Sequence, residues 1–128
     1  MIVDTSAVVA ILLAESDAAR YERAISMAWP RRMSVVALLE TTMVIEGRSG
    51  PDAGDDLDLF LREADIELEP VTLEQVEAAR RAWRRFGKGH HPAALNFGDC
   101  FAYALASTKR EPLLFKGGDF ARTDVEAA

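Results

Sequence analysis

Four acidic residues occupy positions where an ionised carboxylate is costly. Asp4 follows the apolar Met1-Ile2-Val3, Glu40 sits inside an apolar helical stripe, Asp99 opens a helix, and Asp119 lies just beyond Leu113-Leu114-Phe115. Each falls at or near the edge of an element whose composition marks it for burial, where a charge needs compensation. Two carboxylates about 4 Å apart repel by about 4 kcal/mol at an effective dielectric of 20. Several such pairs would consume much of a domain's stability of about 5–15 kcal/mol. Either the acids stand further apart and are partly protonated, or cations hold them together. All-oxygen donors without a His or Cys cluster suit hard ions, Mg²⁺ or Mn²⁺, rather than zinc.

Each acid also has a plainer reading. Asp4 could be a turn or capping residue. Asp99, third in its helix, could serve the helix dipole, worth roughly 0.3–1 kcal/mol. Asp119 could be a turn residue after Gly117-Gly118. Glu40 is more telling, because it shares a helical face with Val36, Met43 and Val44, a stripe expected to face the core. Glu46 lies near Thr42 and the polar helix end and reads as solvated, while Asp124 reads as an accessory acid.

The elements that must bring these residues together alternate between strand and helix. Residues 1–4 form a buried first strand, and Thr5 or Ser6 can cap a helix over 7–13. A second helix runs from Ser16 and Asp17 to about Ala28, closed by Pro30. Residues 31–33 are poor strand formers, but their place between helices argues for a short strand. Ser34 caps a helix to about Arg48, and another helix covers 52–64. Ile66, Leu68 and Val71 suggest a short strand. Thr72 and Gln75 have capping-box spacing for a helix over 73–86. A glycine-containing loop over 87–95 leads to Asn96, which can cap a helix over 97–108, and 112–115 form a last strand. This order predicts an α/β fold with a mostly parallel sheet covered on both faces. Its working crevice should lie at the carboxyl ends of the strands, where Asp4 and Asp119 fall.

The chain has 128 residues, which suits one domain, and no apolar run approaches a membrane span. Its start carries no basic region of a signal peptide, so the cytoplasm is the expected compartment. The lone Cys100 excludes an internal disulfide and reads as a small buried hydrophobe. A net charge of −6 is unlike a passive phosphate binder, though an enzyme that meets phosphate through cations can be acidic. Charge is unevenly placed: 52–69 is acid-rich and 80–91 is basic. In the basic stretch Arg80, Arg84 and Lys88 recur at i, i+4 spacing, able to meet successive phosphates or to pair with Glu74 and Glu77. Trp83 and Phe86 read as core or dimer-contact residues. His90 and His91 read as solvated or substrate-facing.

Taken together, Asp4-Thr5-Ser6-Ala7, Glu40, the block Asn96-Phe97-Gly98-Asp99-Cys100-Phe101-Ala102-Tyr103-Ala104-Leu105-Ala106, and Leu113-Leu114-Phe115-Lys116-Gly117-Gly118-Asp119-Phe120 with Thr123-Asp124 resemble the PIN-domain ribonucleases, most closely the VapC group of toxin–antitoxin systems. The resemblance spans nearly the whole chain in family order. It implies a single three-layer α/β/α PIN domain over residues 1–128 and an Mg²⁺- or Mn²⁺-dependent endoribonuclease. It further implies a homodimer restrained by a cognate VapB-type antitoxin. Asp4, Glu40, Asp99 and Asp119 carry over as catalytic and metal-binding acids, with Ser6 as a supporting hydroxyl and Asp124 as a less uniform acid. The competing readings are a catalytically silent PIN-fold binding module and a metal-dependent DNA nuclease. A phosphoacceptor receiver domain is excluded, because Asp4 is followed by Thr5-Ser6 rather than a second acid and residues 66–71 offer no terminal Asp.

Overall fold

The computed structural model describes residues 1–128. Four short strands, β1 (Ile2–Val3), β2 (Arg32–Ser34), β3 (Glu67–Glu69) and β4 (Leu113–Leu114), pair in parallel in the order β3-β2-β1-β4. Parallel neighbours require crossovers, and helices supply them. These are α1 (Thr5–Leu12), α2 (Ala18–Met27), α3 (Val35–Ser49), α4 (Ala53–Glu63), α5 (Leu73–Phe86) and α6 (Phe97–Lys109), with a 3₁₀ turn, η1 (Phe120–Arg122), after β4. None is long and apolar enough to cross a membrane.

The side-chain period of two along the strands divides the interior. Val3, Met33 and Leu114 point into one core, with Val8, Tyr21, Ile25, Ile45, Leu57 and Leu61 from the helices on that side. Ile2 and Leu113 point the other way, against Ala78, Phe86, Leu95 and Leu105 of the α5–α6 layer. Helices thus cover both faces of the sheet, the three-layer arrangement expected.

Several helix starts follow the sequence closely. Ser34 accepts from Val36 N, Thr72 from Gln75 N, and Asn96 forms a complete capping box with Asp99. Two local expectations need correction. The cap of α1 is Asp4 itself, not Thr5 or Ser6, because its carboxylate accepts the Ser6 N–H. Thr5 instead donates through Oγ1 to Ala37 O at 3.2 Å, and Thr41 Oγ1 joins the same buried contact. The core stripe of α3 is Ala37, Thr41 and Ile45. Val36, Met43 and Val44 line an open groove beside Glu40, with Met43 67% exposed. The helix is apolar on nearly all sides between Val35 and Ile45, so periodicity could not choose between stripes one residue apart.

Candidate active site

The chain emerges from β1 into a helix start, so Asp4 stands at the carboxyl end of a central strand. Its backbone N–H donates to Leu114 O at 3.0 Å, tying it to β4. The side chain is buried, and its Oδ2 accepts from Ser6 N at 3.0 Å and from Ser6 Oγ at 2.5 Å. Ser6 Oγ in turn accepts from Lys116 N at 2.9 Å. The Ser6 hydroxyl thus links Asp4 to the segment leading to Asp119.

Glu40 approaches from α3. The Thr5–Ala37–Thr41 contact fixes α3 against the helix that Asp4 starts. On the other side Glu40 lies against the first turn of α6 at Gly98. A Cβ there would fall 2.8 Å from Glu40 Cδ and 3.0 Å from its Oε1. Only glycine leaves room for that carboxylate, a requirement invisible until α3 and α6 are packed. Asp99 follows directly, with Oδ2 accepting from Asn96 N at 3.0 Å in the capping box. The helix-start reading of Asp99 is therefore correct, and it fixes one oxygen while the other lies outside the box. Asp119 caps η1 with no side-chain bond and is exposed.

Asp99 feels the charges of the other three acids, and Asp4 that of Glu40. Burial pushes the pKa of Asp4 above the usual carboxylate value, against the hydrogen bonds from Ser6, and the Glu40 charge adds to the rise. Burial also lifts Asp99 to about 6; the bond from Asn96 opposes the rise, and the charges of Asp4, Glu40 and Asp119 reinforce it. No cation of the protein appears among these influences. The donors are all hard carboxylate oxygens, which fits a hard divalent ion in kind. As the side chains stand, however, no three acid, His or Cys groups are gathered closely enough to hold an ion. The acids form an open ring rather than a closed cage.

Comparison with known proteins places the chain in a family. The PIN domain matches residues 1–126. Ribonuclease VapC30 of Mycobacterium tuberculosis is 50% identical over 125 residues, covering 98% of this chain and 95% of the relative. Ribonuclease VapC of Mycolicibacterium smegmatis is 52% identical over 127 residues, covering 99% and 98%. The chain belongs to the PIN-domain family, among the VapC ribonucleases. The crystal structure of M. tuberculosis VapC20, described as a Sarcin-Ricin loop cleaving toxin, superposes with a TM-score of 0.81 over 99% of this chain and 97% of that one. Its identity is 20%, so that likeness speaks for the VapC fold alone.

The remaining predicted residues lie elsewhere. Asp124 is committed away from the ring, accepting from Tyr103 at 2.5 Å and from Arg85 at 2.7 Å. The Tyr103 hydroxyl, and after it Arg85, holds its pKa below the usual carboxylate value. Arg80, Arg84 and Lys88 are exposed on and just beyond α5, and Arg80 pairs with Glu77 at 3.0 Å. Phe86 is core, whereas Trp83 is 47% exposed and stacks edge-on with His90. Cys100 is buried, and burial pushes its thiol up to about 11, in keeping with an inert core residue.

Proposed function

We propose that this protein is a metal-dependent endoribonuclease that hydrolyses RNA phosphodiester bonds as the toxin of a type II toxin–antitoxin pair. The observation that carries the reading is the placement of buried Asp4 at the end of β1 and of Glu40 against the α6 turn that carries Asp99, where burial and then the neighbouring acids raise Asp99 to about 6. A protein gains nothing for its own stability by facing four carboxylates at one another, so the arrangement makes sense where a cation is to be received. Asp4, Asp99 and Asp119 would hold Mg²⁺ or Mn²⁺, with Glu40 as a further ligand or as the group orienting the attacking water. When bound, such an ion stabilises charge on the attacked phosphate and the leaving oxygen.

The chain's own residues prepare that chemistry. Ser6 gives its proton to Asp4 Oδ2, favouring the ionised form of a buried carboxyl, and leaves Oδ1 outside the pair of bonds. Asn96 does the same for one oxygen of Asp99. Gly98 lets Glu40 close on the α6 turn. Arg84 and Lys88, with Arg80 once released from Glu77, would meet backbone phosphates of the RNA.

The cognate VapB-type antitoxin would place a cationic side chain into the acidic ring, since arginine pairs with carboxylates bidentately. A homodimer is supported by the exposed apolar face of Leu39, Met43 and Phe97, at 61, 67 and 76% exposure beside the site. All of this would take place in the cytoplasm. The test is to incubate the purified protein with total RNA and with single-stranded DNA, with Mg²⁺ or Mn²⁺, and to map new ends. RNA ends that need the ion and vanish in Asp99→Asn are the expected result. No cleavage of RNA with either ion would overturn the proposal, and cleavage of DNA alone would assign a different substrate.

A further inference from the structure

Asp119 has the weakest local support of the four acids. It is exposed, its side chain caps nothing, and it follows Gly117 (φ +99°) and Gly118, where an added Cβ would meet no atom within 4 Å. A carboxylate on so free a turn has to be held from its flanks. Downstream, Phe120 is buried and packs on Phe115 with ring centroids 5.3 Å apart. Upstream, the one residue between Phe115 and the glycines is Lys116, and it is tied at both ends. Its N–H donates to Ser6 Oγ at 2.9 Å. Its ammonium bridges Glu15 and Asp17 in the connection between α1 and α2, 2.8 Å from Asp17 Oδ1. Ser6 has one hydroxyl proton, and Asp4 receives it, so towards Lys116 that oxygen can only accept.

We propose that Lys116 is a positioning residue: its clamp onto Glu15 and Asp17 sets where Asp119 stands relative to Asp4 and keeps the Ser6 hydroxyl aimed at Asp4. The inference rests on the nuclease reading above. Contact with a substrate phosphate is the obvious other task for a lysine beside such a site. Here the ammonium is already shared by two carboxylates, and their hydrogen bonds, Asp17 before Glu15, hold it protonated well beyond the ordinary lysine range. The three side chains are each about one-third exposed, and ion pairs at such exposure add little to global stability. Loss of the clamp should therefore be felt in alignment more than in melting.

The experiment combines steady-state cleavage of a short RNA carrying a mapped site with thermal unfolding at increasing Mn²⁺. Lys116→Met should lower kcat roughly tenfold or more, since small misplacements of reacting groups are costly, and leave KM within about twofold. The Mn²⁺ concentration giving half the thermal shift should rise. Lys116→Arg keeps the cation and should recover much of the loss. The double variant Glu15→Gln/Asp17→Asn removes the clamp without touching Ser6 or Asp119; it should reproduce the Lys116→Met defect, and the triple variant should be no worse. Wild-type kcat in Lys116→Met overturns the proposal, as does a raised KM with unchanged kcat, which would make Lys116 a substrate contact. If Lys116→Met does not fold, the Glu15/Asp17 variant decides by the same criteria. A wild-type protein that cleaves no RNA refutes the nuclease reading instead, and the Mn²⁺ shift then still judges the clamp.

Discussion

Two groups of charged side chains flank one small sheet, and they obey opposite rules. Around Arg32, at the start of β2, unlike charges interlock: Nε lies 3.1 Å from Glu69 and 3.5 Å from Glu67, Nη1 reaches Glu111, and Lys109 approaches Glu69 at 3.7 Å. Beyond the end of β1, like charges face each other, and Asp4 and Asp99 are both driven toward their neutral forms. The first arrangement ties strands together. The second works against folding and persists because the rest of the fold holds it. Where a fold breaks its own rule of charge pairing, the departure marks the working end.

The largest effect should come from removing one charge of the unpaired group. Asp99→Asn keeps the size and the capping acceptor, so metal-free melting should hold or rise while cleavage falls by roughly 100-fold or more. Cleavage at the wild-type rate would remove Asp99 from the site. The same operation on the paired group should do the reverse. Arg32→Met takes the shared cation from Glu67, Glu69 and Glu111, leaving Lys109 beside Glu69 and the N-terminus on Glu111, and should cost about 2 kcal/mol of stability, less than the roughly 3–5 kcal/mol for fully buried pairs because Arg32 is partly exposed. Activity per folded molecule should not change. A chemical melt that stays put would show that the Arg32 cluster is decorative.

A smaller effect separates shape from charge. In Gly98→Ala the new Cβ intrudes on the Glu40 carboxylate, the far end of a flexible side chain that can swing away. Alanine is also the better helix former by about 1 kcal/mol. Melting should therefore hold or rise, while cleavage drops roughly tenfold as Glu40 leaves its place. Unchanged cleavage would mean that Glu40 acts from another position.

What the sequence disclosed follows from how far each feature depends on packing. Asp4 and Asp99 were legible because each stands at a border between an apolar run and a capping signal, and the capping motifs at Ser34, Thr72 and Asn96 were local. The two-residue strands were legible mainly through the helices between them; Arg32 reads poorly as a strand residue. The stripe that singled out Glu40 lines an open groove, and of its members only Val44 also packs on the core. Gly98 could not be found, because its reason is a side chain 58 positions away. Lys116 left one overlooked signal, a lone cation between an aromatic residue and the glycine pair that precedes Asp119. Asp124 shows the converse, an acid of the right kind that Arg85 and Tyr103 hold elsewhere.

The finest test reads the unpaired charges without any substrate. Asp99 titrates near 6 in the folded chain against an ordinary 3.8, chiefly through burial, with Asp4, Glu40 and Asp119 adding to it. A raised acid favours the neutral native state, so its penalty is absent below about pH 4, grows between 4 and 6, and is complete above 6. Two units correspond to nearly 3 kcal/mol at about 1.4 kcal/mol each. Asp99 is partly exposed, so screening reduces the expectation to about 1–2 kcal/mol. Asp4 shifts in the same sense. Asp17 and Asp124 are shifted downward by their partners, and their contributions are lost only as pH falls below about 4. Metal-free protein should therefore become more stable as pH is lowered from 7 to 5, and lose stability again below 4. Chemical denaturation at stepped pH in a chelator would show this, and Asp99→Asn should flatten the upper slope. Stability that is level, or that climbs, between pH 5 and 7 would mean that the acids do not oppose one another, and the contrast with the Arg32 cluster would collapse.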